Sequence, residues 1–131
     1  MPAAEHRATF SKRERMVSKR LIEKLFGGGN RSMTAFPLRV VCMQQERQQG
    51  AEPVQVLVSV SKRHFKHAVK RNRVKRQVRE AYRLNKRLLV SRVPADRQMA
   101  VAFIWLADDL QDSERVERSV KRLLGKVAES V

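Results

Sequence analysis

The sequence predicts an α+β domain in which a sheet and a layer of helices pack face to face. Three observations predict it. Residues 54–60 alternate in polarity, so that Val54, Val56, Val58 and Val60 share one face of a strand. Residues 99–106 are apolar at both even and odd positions, the pattern of a central strand covered on each side. Between these two strands lies a long helical stretch with Val74, Val78, Ala81 and Leu88 on one stripe and Tyr82 and Leu89 at its margin.

In chain order, residues 1–9 are small and polar enough to form a disordered tail. Residues 10–20 are basic and lead into a short helix capped near Ser18. Leu21 and Leu25 share one side of that helix, and Ile22 and Phe26 an adjoining side. Gly27, Gly28, Gly29 and Asn30 stop it. A glycine run can cradle phosphate when it leads from a strand into a helix N-terminus, but this one follows a helix end and suits a cap and turn.

Residues 38–43 form a strand with Leu38, Val40 and Cys42 on one face and Arg39, Val41 and Met43 on the other. A polar loop, 44–53, then joins it to the strand at 54–60 as its neighbour. The long helix runs from about His67 to about Val90, and Pro94 helps to end it. Within the central strand, Ala100 and Ala102 let a helix approach closely. The last helix turns Val116, Val120, Leu123, Leu124 and Val127 inward. The order is helix, strand, strand, long helix, strand, helix, with room for a short extra strand from the N-terminal segment.

The length of 131 residues fits one domain, taken as residues 10–131. Twenty-nine Lys and Arg against 13 Asp and Glu give a formal charge of +16 and a pI near 11.3. Such a balance points to nucleic acid. No apolar run approaches a bilayer span and no lipidation signal is present, which sets a membrane partner aside. A single cysteine, Cys42, excludes an internal disulfide and suits a reducing, cytoplasmic setting. Nothing in the sequence sets an oligomeric state.

Thirteen cations stand between Lys62 and Arg92 against one acid, Glu80. On the predicted helix Asn72, Arg76, Arg79, Arg83 and Lys86 lie opposite the apolar stripe, flanked by Arg73, Lys75 and Arg87. A solvated helix face mixes signs three or four residues apart. This one does not, and a polyanion would offset its self-repulsion. The acids Asp108, Asp109, Asp112 and Glu114 precede and open the last helix, where carboxylates complement the helix dipole; no convergent second set of ligands or base makes them a nuclease centre. His64 and His67 lack a third metal ligand and read as further phosphate donors.

The run Arg71-Asn72-Arg73, followed by Lys75, Arg76 and Arg79 and preceded by a strand ending in Ser61-Lys62-Arg63, resembles the signature of the bacterial ribonuclease P protein subunit. The similarity covers about residues 10–128. It implies a two-layer α/β sandwich with a four-stranded sheet and a left-handed βαβ crossover around the long helix, whereas general chirality rules would favour the opposite hand. It also implies a subunit that assists removal of the 5′ leader from precursor tRNA, an endonucleolytic hydrolysis carried out by a partner catalytic RNA with magnesium, held mainly by that RNA. No catalytic residue or metal ligand is then assigned to the protein.

Two surfaces follow from the resemblance. Lys62, Arg63, Arg71, Asn72, Arg73, Lys75, Arg76, Arg79 and Arg83 would face the catalytic RNA. A cleft lined by Ile22, Phe26, Leu38, Val40 and Cys42, with Lys62 nearby, would receive the single-stranded leader. The chain departs from the family there: Ile22, and either Val40 or Cys42, stand where a phenylalanine and a tyrosine are usual. Ile22 and Phe26 suit a core equally well. From another class, a structural RNA-binding protein of ribosomal type shares this composition, and an autonomous protein nuclease would have only the acidic cluster to use.

Overall fold

The computed structural model describes residues 10–131; the tail expected over residues 1–9 lies outside the described residues. A short 3-10 turn, Lys12–Glu14, precedes α1 (Lys19–Phe26), β1 (Arg31–Ala35) and β2 (Leu38–Glu46). Then come β3 (Val54–Ser59), α2 (Ala68–Asn85), α3 (Arg87–Val90), β4 (Arg97–Trp105) and α4 (Ser113–Glu129). The four strands form one mixed sheet in the order β1-β2-β4-β3, with β3 and β4 parallel and the other pairs antiparallel.

Local chemistry explains the boundaries of α1. The Ser18 hydroxyl accepts the Leu21 N–H at its start. Its C-terminus is closed by Asn30, whose side-chain amide donates to the carbonyls of Lys24 and Leu25 at 3.1 and 2.7 Å. Gly28 and Gly29 take φ of 98° and 80°, the left-handed region where a Cβ is costly, and so turn the chain into β1.

Strand β4 is the centre. Its Val101, Phe103 and Trp105 face the main core with Leu38, Val40, Cys42, Val54, Val56 and Val58 under α2 and α4. Its Ala100 and Ala102 face the other way, where Leu21 and Leu25 of α1 and Met16 pack over them and Val41. Small residues thus admit α1. Tyr82 and Trp105 are both core, fully buried, with the Tyr82 hydroxyl and Trp105 Nε1 lacking a partner among the described residues.

Three expectations are corrected. First, β2 and β3 are not neighbours, because β4 lies between them; the strand apolar on both faces gains most by occupying the interior. Second, the additional strand is β1, after the glycine turn, while the N-terminal segment contributes an isolated parallel bridge, Arg15 to Val56. Third, the long helix is interrupted at Lys86, so Leu89 is fully buried while Leu88 stays 42% exposed.

That interruption carries an ion pair. Glu14, itself buried, accepts from the Lys86 ammonium with both oxygens at 3.1 and 3.0 Å and receives the Ser11 N–H. The pair fastens the N-terminal segment to the α2–α3 junction. Phe10 then lies edge-on to Tyr82 with ring centroids 5.6 Å apart. Lys86→Ala leaves the carboxylate buried without its cation and is expected to lower stability by about 3 kcal/mol, read by urea unfolding.

Burial raises the Cys42 thiol above its ordinary pKa, with Arg31 and Ser130 offsetting part of the effect. Iodoacetamide at mildly alkaline pH is therefore expected to spare Cys42 in the native protein and to alkylate it after denaturation, as mass spectrometry would show.

Candidate nucleic-acid interface

Helix α2 is held by Val74, Val78, Ala81 and Tyr82, which are buried against the sheet and α4. Its cations therefore project away from the core. Lys62, Arg63, Asn72, Arg73 and Arg76 are exposed and Lys75 is half-buried; none of their side chains has a hydrogen-bonding or ionic partner among the described residues. These groups are left to solvent or to an anion.

The remaining members of the predicted set are already engaged. Arg71 donates through Nη1 to the carbonyls of Phe65 and Lys66 at 2.9 and 2.8 Å, tying the β3–α2 loop to the first turn of the helix. Arg83 forms a two-pronged pair with Glu80, Nε to Oε1 at 2.9 Å and Nη2 to Oε2 at 2.5 Å. The Arg83 guanidinium holds the Glu80 carboxyl below the usual carboxylate range. Glu80 sits four residues from Arg76, and its pairing with Arg83 directs its carboxylate away from that cation.

Arg79 is partly desolvated, and burial together with the charge of Arg15 lowers its pKa. Arg15 itself lies over the Phe10 ring, 5.5 Å from the centroid. The basic ridge therefore continues from α2 onto the N-terminal segment. Sequence reasoning left Arg15 out of the site, although the basic character of residues 10–20 was its signal.

The predicted cleft divides. Leu38, Val40 and Cys42 are buried to 0–2% exposure on the α2 and α4 side of the sheet, and they cannot line a surface cleft with α1. Strand register puts Arg39, Val41 and Met43 of β2, Ala100, Ala102 and Ile104 of β4, and Leu57 of β3 on the α1 side. There Ile22, Met43, Leu57 and Ile104 are partly buried beside α1, and Phe26 is 45% exposed, so Phe26 is not core. The error has a physical source. Both faces of β2 carry apolar residues, and polarity does not say which helix covers which.

No group of three or more His, Cys, Asp or Glu among the described residues could hold a metal ion. Asp112 caps α4 by accepting the Arg115 N–H at 2.8 Å, as the capping reading expects. Asp108 bonds His64 Nδ1 at 2.7 Å, which engages one of the two histidines read as phosphate donors. Among the described residues, no helix is long and apolar enough to cross a membrane.

A two-layer α+β domain with a largely unpaired cationic helix face carries the electrostatic footprint of a nucleic-acid-binding protein. The family model described as ribonuclease P matches residues 10–128. The chain is 44% identical over 128 residues to the ribonuclease P protein component of Porphyromonas gingivalis, covering 95% of this chain and 91% of that protein. It is 33% identical over 114 residues to the same component of Chlorobaculum tepidum, covering 81% and 74% respectively. Among solved structures, the RNase P protein of Thermotoga maritima superposes with a TM-score of 0.65 at 22% identity, covering 86% of this chain and 96% of that one. The Staphylococcus aureus RNase P protein does so with a TM-score of 0.63 at 20% identity, covering 88% and 95%. The chain belongs to the ribonuclease P protein family.

Arg71 and Arg73 should part company on mutation. Arg71→Ala removes two bonds to backbone carbonyls and is expected to cost about 1–2 kcal/mol. Arg73→Ala, touching nothing, is expected to stay within about 0.5 kcal/mol of the parent. Equilibrium urea unfolding of the two variants separates an anchoring arginine from a free one.

Proposed function

We propose that the chain is the protein subunit of ribonuclease P and assists RNA-catalysed removal of the 5′ leader from precursor tRNA in the cytoplasm. The observation that carries this is the free set of cations Lys62, Arg63, Arg73, Lys75 and Arg76, with the uncharged Asn72 among them, on a chain of this family. Arginine forks match phosphate geometry, and Asn72 adds a donor and an acceptor for a sugar or base. In this reading the catalytic RNA holds the magnesium that supplies the hydrolytic chemistry. The protein's own residues bind and position.

The leader lies, in this proposal, on the open sheet face beside α1. Ile22, Met43, Leu57 and Ile104 give it an apolar floor, Phe26 a ring on which a base can stack, and Arg39 and Lys62 cations for the backbone. This replaces the cleft of Leu38, Val40 and Cys42.

The first experiment is 5′-leader cleavage of a precursor tRNA at low magnesium with protein alone, a bacterial catalytic RNA alone, and both. Cleavage restored only by the mixture is expected; RNA binding without enhancement would favour a structural RNA-binding role instead. Changing Arg73 and Arg76 together to Ala is expected to weaken assembly with the catalytic RNA. The slope of log affinity against log salt should become shallower by about 1.4–1.8, at ~0.7–0.9 per phosphate contact. Phe26→Ala is expected to fold normally and to lose affinity for precursors carrying a leader while retaining it for mature tRNA.

A further inference from the structure

The basic face of α2 borders a crevice against α4 whose other wall the preceding reading leaves unused. The crevice encloses about 430 Å³, and its lining includes Arg73, Arg76, Gln77, Glu80, Leu84 and Glu117. That volume lies within the ~300–1,000 Å³ of small-ligand sites. Two polar clamps tie its walls to each other. At one end Gln77 donates through Nε2 to the Gln111 carbonyl and the Ser113 hydroxyl at 2.9 and 3.2 Å. At the other, Asn85 donates through Nδ2 to Glu117 Oε2 at 3.1 Å.

The crevice combines three chemistries. Arg73 and Arg76 are free cations at one wall, and the acid placed to mute Arg76, Glu80, is drawn off by Arg83. Leu84, 50% exposed, offers an apolar surface in its lining. Glu117 is half-buried and keeps Oε1 without a partner among the described residues, so it accepts further hydrogen bonds and donates none. A phosphate, a flat apolar ring and a donor edge would satisfy all three.

We infer that this crevice takes one unstacked guanine nucleotide of the RNA that the basic face binds, its phosphate on Arg73 and Arg76, its ring on Leu84, and its edge on Glu117. Unpaired, splayed-out bases are the usual targets of sequence-specific RNA recognition, and guanidinium planes serve them as stacking partners. Among the four RNA bases, guanine alone presents two adjacent donors, N1–H and the N2 amino group, which suit a carboxylate. Adenine, cytosine and uracil each place an acceptor beside their donor and would face the carboxylate with a lone pair. The inference rests on the proposed binding of a catalytic RNA and adds a base-specific contact to it.

The test binds the full chain to a bacterial ribonuclease P RNA and maps guanine Watson–Crick edges with kethoxal. The wild-type chain is expected to shield a small set of single-stranded guanines. Glu117→Gln keeps an acceptor for Asn85 and so the fold, yet is expected to re-expose one of them and weaken binding roughly tenfold. Leu84→Glu, at an exposed position, should re-expose the same guanine. Inosine at that site, lacking the amino group, should reproduce the loss with the wild-type chain and add nothing to Glu117→Gln. The salt slope should not change with Glu117→Gln, since no phosphate contact is removed. A protection pattern indifferent to both variants, or additive losses with inosine, overturns the crevice assignment while leaving RNA binding intact. Failure of the wild-type chain to bind the RNA overturns both readings together.

Discussion

A helix that carries so many like charges has to be held in place by its other face. Like-charged neighbours three and four residues apart cost about 0.2–0.5 kcal/mol each. Burying a valine-sized side chain contributes about 1.5–3 kcal/mol. Helix α2 has several such repulsive pairs, and Val74, Val78, Ala81 and Tyr82 go wholly or almost wholly out of water beneath them. The apolar stripe wins, and the repulsion remains stored on the surface as affinity for an anion. Everything functional about this helix depends on that inequality.

The fold then decides which cations stay free. Its few acids near the basic region are spent in specific places. Glu80 neutralises Arg83, Glu14 fastens Lys86 beneath the N-terminal segment, and Asp108 meets His64. Arg71 is used on backbone carbonyls of the loop that enters the helix. What is left over is a contiguous patch centred on Arg73 and Arg76, extended by Arg79 and Arg15 across a junction that the Glu14–Lys86 pair keeps closed. The pairings decide, by subtraction, which cations are free on the proposed RNA-binding face.

The sheet has a comparable division of labour. Large residues on one face of β4 build the core with α2 and α4, while Ala100 and Ala102 on the other admit α1. Because α1 covers only part of that second face, Leu57 and Ile104 remain partly open beside it. A two-layer core on one side and a single short helix on the other leave one sheet face available for a partner.

Periodicity alone located all three of the longer strands and the inward positions of α4, because each is written locally as a spacing of apolar residues; which of the two apolar sides of α1 is buried, Leu21 with Leu25, was settled only by the sheet beneath it. The signature around Arg71, Asn72 and Arg73 falls where α2 turns Asn72, Arg73 and Arg76 to solvent. The sequence was silent where two segments distant in the chain had to choose each other. Val40 and Val41 are equally apolar, and only the packing of α1 on Val41, Ala100 and Ala102 assigned the face. Arg71, Arg73 and Arg83 are likewise indistinguishable as letters, and contacts within six residues made the first an anchor and the third a partner of Glu80, leaving the second free. Local chemistry determined which residues could be buried or charged and, within α2, paired Glu80 with Arg83; long-range geometry decided which sheet face each apolar residue served and set Glu14 against Lys86.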